Sequence, residues 1–167
     1  SKADLRVVNL EAAIVVRSIQ HFSWQPEHLP PVDQEVVLLV VGSDNCLFTE
    51  RLSFLIELSE AKVQGRRIKV KTSESFEDAA KLSRQDKQII YIVALKSVSD
   101  HWDTSKLAKR GGLIAFGQGD SYLKRGLAMS SVVQNNRLRV SVNLRKLKQK
   151  AIKVDDNLLS NRQILLQ

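Results

Sequence analysis

Apolar residues at Leu5, Val8, Ala12, Val15, Ile19 and Phe22 recur at the spacing of one helix face, and Asp4 stands where it could cap the start. The pattern predicts an amphipathic helix over Leu5 to Phe22. Trp24, Pro26, Pro30 and Pro31 then predict a surface loop, because proline lacks an amide donor and disfavours helical geometry in the residue before it. Glu35 to Gly42 is a continuous branched-aliphatic run of the kind found in a strand buried on both faces. Cys46 to Leu58 predicts a helix capped by Ser43, Asp44 or Asn45, and Gly65 closes the connection that follows. Arg67 to Thr72 alternates basic and apolar residues, which predicts a half-buried strand near a sheet edge.

No element is assigned between Thr72 and Gln88. Gln88 to Leu95 predicts a second deeply buried strand, Ser97 to Arg110 a helix ended by Gly111 and Gly112, and Leu113 to Phe116 a short strand. Met129 to Gln134 and Arg137 to Asn143 flank Asn135-Asn136, and asparagine tolerates the positive φ of a two-residue hairpin turn. In that hairpin Leu138, Val140 and Val142 share one face, and Arg137, Arg139 and Ser141 share the other. Leu144 to Ile152 predicts a basic helix with Leu144, Leu147 and Ala151 inward, and Asn157 to Leu166 a final short helix. Helix, strand, helix, strand, strand, helix, strand, hairpin, helix is the order of a three-layer α/β sandwich with a mainly parallel sheet and a C-terminal antiparallel hairpin. A length of 167 residues suits one domain over residues 1–167.

Composition narrows the class. The chain is 43% apolar, its longest apolar runs fall far short of the roughly 20 residues of a membrane helix, and no repeat recurs. The net charge of +8 implies attraction to something anionic. Its location is uneven: Ser121 to Val154 carries nine basic residues and no Asp or Glu, and the remainder is close to neutral. Arg137, Arg139, Arg145, Lys146 and Lys148 are the candidate partner-binding residues of this stretch. Aromatics for base stacking are absent from Arg125 to Lys153 and no helix-turn-helix or finger pattern occurs, which disfavours nucleic acid.

Candidate chemistry is sparse. There is no Gly-x-Ser-x-Gly, and His21, His28 and His101 are poorly placed for a triad or a metal, so no catalytic residue, metal or cofactor is assigned. Gly117-Gln118-Gly119 follows a predicted strand, but Tyr122 stands where the dinucleotide fingerprint wants its third glycine. Ligands of open α/β sheets bind beyond the carboxyl ends of the strands, which would gather Ser43, Asp44, Asn45, Ser97, Gln118 and Asp120 as a candidate crevice for an anionic small molecule or cell-wall fragment. Caps and turns are the competing role for these residues. Cys46, the lone cysteine, is expected to pack as a small hydrophobe. A start at Ser1 suits either a processed export product or a trimmed chain, so the compartment stays open.

Several segments, in order, resemble the YfiR-like family, which includes HmsC-type regulators. Glu11-Ala12-Ala13 through Phe22-Ser23-Trp24-Gln25-Pro26 is similar to its opening helix and the Trp-Pro that follows, and Val36 to Gly42 to its first strand and glycine. Leu58 to Val70, with Gly65-Arg66, resembles the helix, Gly-Arg and strand that follow there; Gly126 to Val132 and Asn135 to Leu144 resemble its late glycine, hairpin and terminal Asn-Leu. Leu158-Leu159 falls where a closing Leu-Leu is expected. The resemblance implies a Rossmann-like sandwich in the Gram-negative periplasm, often a homodimer. It further implies a regulator, not an enzyme, that binds the extracytoplasmic part of an inner-membrane diguanylate cyclase and restrains it, lowering cyclic di-GMP signalling and biofilm formation.

Overall fold

The computed structural model describes residues 5–119, 125–160 and 164–166. Helix α1 (Leu5–His21) leads into a short strand β1 (Phe22–Trp24) and a 3₁₀ turn at Pro26–His28. Strand β2 (Val36–Val41), helix α2 (Cys46–Ser59), the hairpin β3 (Lys62–Val63) and β4 (Arg66–Ser73), helix α3 (Phe76–Gln85) and strand β5 (Ile89–Ala94) follow. After two 3₁₀ segments come β6 (Ile114–Gln118), β7 (Met129–Gln134), β8 (Arg137–Val142), α4 (Leu144–Gln149), β9 (Ile152–Val154), α5 (Asp156–Leu159) and β10 (Ile164–Leu166).

Among the described residues, eight strands form one sheet in the order β10-β8-β7-β6-β5-β2-β4-β3, and β1 pairs antiparallel with β9 in a separate ribbon. The run β7-β6-β5-β2-β4 is parallel throughout. Every residue of β2 and β5 is buried, as their unbroken apolar sequences require of strands covered on both sides. Alternation along β2 sends Val36, Leu38 and Val40 to a core shared with α1 and α2, and Val37, Leu39 and Val41 to a second core shared with α3 and the 3₁₀ segments. The pairing slips one residue between Val37/Leu38 of β2 and Ile89/Tyr91 of β5, a bulge that turns both Ile90 and Tyr91 into the first core. There the Tyr91 hydroxyl meets Ser18 Oγ at 2.8 Å. This is the three-layer α/β architecture the sequence predicts, hairpin included: Asn135 and Asn136 adopt φ of 52° and 60°.

Several local expectations are corrected. Residues between β4 and β5 form α3, whose Ser75 cap accepts the Asp78 amide at 3.2 Å; Phe76 and the small Ala79, Ala80 and Ser83 face inward, on one side of an otherwise polar helix. The stretch from Ser97 to Arg110 is not one helix but 3₁₀ segments at Lys96–His101 and Thr104–Lys106. Asp103 Oδ1 accepts from the Ser105 amide and hydroxyl at 3.0 and 2.7 Å, local bonds that compete with helical ones. The Arg110 guanidinium, at the end of this stretch, instead donates to the carbonyls of Ser83, Asp86 and Ile89, tying α3 to the start of β5. The basic helix stops at Gln149, because Ala151 takes φ +59° and the chain turns into β9. Phe22 to Trp24 is strand, paired with that segment. The final segment is the short α5 and then β10, which extends β8 in parallel. No side chain of Ser43, Asp44 or Asn45 caps α2: Asn45 occupies the cap position, but its Nδ2 donates to Gly42 O at 2.8 Å. Cys46 is exposed and does not pack. Asp4 and Asp120 lie outside the described residues.

The segment after α1 is held by residues far along the chain. Gln64 of the β3–β4 turn accepts the Trp24 amide at 2.7 Å and donates to the Trp24 carbonyl at 2.9 Å, bonding as a strand neighbour would. Arg66 donates to Pro30 O at 2.7 Å, and Trp24 Nε1 to Gly112 O at 2.7 Å. A β-carbon on Gly112 would stand 2.7 Å from His28 Cβ, so only glycine fits under that histidine.

Because Leu38 is wholly buried in the first core, Leu38→Ala is expected to cost about 2–5 kcal/mol in urea unfolding. Lys69→Ala on exposed β4 should stay within about 0.5 kcal/mol.

Candidate functional site

The carboxyl ends of β2, β5 and β6 bring the expected crevice residues together. Ser97 Oγ donates to Asp44 Oδ1 at 2.9 Å and accepts the Ser43 amide at 3.3 Å. Gly42, with φ of 150°, permits that approach; a β-carbon there would fall 2.7 Å from Ser97 Oγ. Next along the sheet, Gln118 Oε1 accepts the Lys96 amide at 3.1 Å, and Gln118 Nε2 donates to Glu11 Oε1 at 2.9 Å. Ser131 Oγ of β7 donates to the other Glu11 oxygen. Asp120, the remaining crevice residue, lies outside the described residues.

Glu11 is the centre of this network and only 3% exposed. Burial pushes its carboxyl above the ordinary value, opposed by the bonds from Ser131 and Gln118 and by the charge of Lys96. Sequence reading passed over it. The signal was available: Glu11 lies three residues after Val8 and four before Val15, on the helix face that meets the core. Chemically the described part of the crevice is a polar network whose side chains bond to one another, with carboxylates at both sides, each accepting from a serine hydroxyl: Asp44 from Ser97 and Glu11 from Ser131. Among the described residues, no group of three His, Cys, Asp or Glu could hold a metal ion. His21 closes α1 and lies 3.5 Å from Asp155, whose carboxyl is held low chiefly by the Asn157 amide and then by His21. His28 packs over Gly111 and Gly112, and His101 is exposed.

The basic candidates separate into two groups. Arg137 and Arg139 sit on the side of β8 opposite its buried Leu138, Val140 and Val142, with Arg137 exposed beside the hairpin turn. Arg145, Lys146 and Lys148 belong to α4, at the other end of β8, roughly 17 Å away at strand rise. Asn143 positions that helix by accepting the Lys146 amide at 3.0 Å. Arg145 and Lys148 are exposed, whereas Lys146 turns into a cavity between α4 and the Thr104–Lys109 stretch. Leu147 fills the core beneath. Among the described residues, no helix is long and apolar enough to cross a membrane.

Comparison with known proteins agrees with this architecture. The family model described as YfiR/HmsC-like matches residues 8–161, which contain the segments from Glu11 to Leu159 that carry the resemblance. Among solved structures, a conserved domain protein from Vibrio cholerae O1 biovar El Tor str. N16961 is similar, with a TM-score of 0.51 and 13% identity over 96% of this chain; that likeness is one of fold. This chain spans 60% of the Vibrio chain. No curated protein matches the sequence.

The raised Glu11 carboxyl gives a pH prediction. The folded chain keeps a proton that the unfolded chain releases near pH 4.5, so stability is lost as pH rises from there through the higher folded value. Glu11→Gln keeps both hydrogen-bond contacts without the charge. Urea midpoints from acidic to neutral pH should therefore show the variant gaining on the unmodified chain across that window and holding a constant lead above it; a difference independent of pH would refute the assignment.

Proposed function

The chain belongs to the YfiR/HmsC-like family of signalling regulators, and from that premise we propose that it is a one-domain periplasmic binding protein that restrains an inner-membrane diguanylate cyclase by contacting its extracytoplasmic part. In this reading it lowers cyclic di-GMP output and biofilm formation, and acts as a homodimer by analogy with its family. The observation that carries it is the family match across residues 8–161. The site is compatible with that role, since its described polar residues bond to one another and hold α1 against the sheet.

The outward cations Arg137, Arg139, Arg145 and Lys148 are the proposed partner-binding residues, recognising an acidic surface. All four lie in the acid-free part of the chain, and Arg137, Arg145 and Lys148 are exposed. Complementary charge of this kind sets the association rate and the partner choice more than it sets raw affinity. Lys146 is left out of this surface because it faces the cavity.

Reversing Arg137, Arg145 and Lys148 to Glu should weaken binding to the purified extracytoplasmic domain of the cognate cyclase by at least about tenfold and raise cellular cyclic di-GMP, with affinity of the unmodified chain falling as salt rises. Unchanged affinity would remove the surface assignment. An unchanged cyclic di-GMP level on deleting the whole protein would remove the signalling role.

A further inference from the structure

A half-open cavity of about 380 Å³ lies on the second face of the sheet, at the opposite end of β6 from Gln118. Its floor is apolar, formed by Leu107, Leu113 and Leu127, and its rim carries Lys109, Lys146 and Lys150 with the hydroxyls of Thr104 and Ser105. Among the described residues no aspartate or glutamate lines it; Asp103, next to the rim, accepts from Ser105 Oγ at 2.7 Å. Thr104 Oγ1 and Lys146 Nζ converge: a β-carbon on Gly126 would stand 3.5 Å from the first and 4.0 Å from the second. Gly126, at φ +84°, leaves that corner to the cavity.

The three rim lysines form no ion pair with a described residue. The ion pairs within the described chain join His21 to Asp155, His28 to Glu27 and Lys71 to Asp86, and none involves the three rim lysines. Lys150 Nζ donates to the Arg110 carbonyl at 3.3 Å, which anchors it against the wall. Burial first, then Lys146 and Arg110, hold its pKa below the ordinary lysine value. Crowding like charges in a partly dehydrated concavity is unfavourable, and a bound anion reverses the sign of that interaction.

We propose that this cavity binds a small organic oxyanion, a carboxylate or phosphate monoester on an apolar body, with its head between Lys146, Lys150 and Thr104 and its body on Leu107, Leu113 and Leu127. The volume is at the small end of ligand pockets, roughly 300–1,000 Å³, and the combination of an apolar floor with a few convergent polar groups is what such sites share. Charge-assisted hydrogen bonds from the two ammonium groups supply the selectivity for an anion. The site is separate from the outward cations of the partner surface, and it stands or falls independently of the cyclase reading.

Thermal unfolding and calorimetric titration of the full chain with phenyl phosphate, benzoate, inorganic phosphate and neutral benzyl alcohol test this. At a probe concentration a hundred times Kd, one of the two aromatic anions should raise Tm by about 5–10 °C, and the stronger of the two identifies the head group. Benzyl alcohol should have no effect, and inorganic phosphate a weak one. Lys146→Gln and Lys150→Gln should each weaken the anion at least about tenfold, whereas Lys153→Gln, which removes an equal charge from an exposed site outside the cavity, should leave it unchanged. Should a variant fold poorly, amide shifts in the unmodified chain decide: perturbation centred on Thr104, Gly126 and Lys150 supports the site. Absence of binding by both aromatic anions, equal loss in Lys153→Gln, equal binding of benzyl alcohol, or perturbations centred elsewhere would each overturn it.

Discussion

Two adjacent strands, β2 and β5, are buried on both faces, and the rest of the structure answers to that constraint. Neither has a polar side that could meet water, so each must be sandwiched between helical layers and hydrogen-bonded to neighbours on both edges. α1 and α2 supply one layer; α3 and the 3₁₀ segments supply the other. The bulge at Ile90–Tyr91 is the one interruption, and its consequence is specific. It brings a phenol into the apolar interior, where Ser18 provides the partner that a buried hydroxyl requires.

Polar groups gather at the two ends of this sheet and do different things. At the carboxyl end, Glu11, Gln118, Ser131 and the Lys96 amide form a network around a buried carboxyl. Such a network favours one docking of α1 on the sheet over others, because any slip would leave Glu11 without partners. At the amino end, Trp24, Gln64, Arg66 and Gly112 bind the segment after α1 to the β3–β4 turn and to the approach to β6. Trp24 and Gly65-Arg66, among the residues that carry the family resemblance, therefore lie at a structural junction. The structure gives them a reason to recur that is independent of any partner.

Charge follows a similar division. One acid-free run in sequence becomes, in space, an arginine face on β8, an outward pair on α4 and an inward pair at Lys146 and Lys150. Only the last is concave and apolar beneath, which is why the same residue type suits a large acidic surface in one place and a small anion in the other.

Sequence alone determined the α/β class, the two central strands, α1, α2 and the Asn135-Asn136 hairpin, since each rests on a local period or on a turn residue with a stated φ preference. Order along the chain also carried the family. It did not reach α3, whose inward residues are mostly small, nor the 3₁₀ course of Lys96 to Lys106, where Asp103 bonds to the backbone in place of the next helical turn. Pairing of β1 with β9 and of β10 with β8 joins segments remote in sequence, so no local pattern announces it. Likewise Glu11 became a site residue only when the fold set Gln118 and Ser131 against it, and Lys146 parted from Arg145 and Lys148 only when α4 settled against the Thr104–Lys109 stretch. Periodicity tells which face of an element is buried; what waits on the other side is decided by packing between distant parts of the chain.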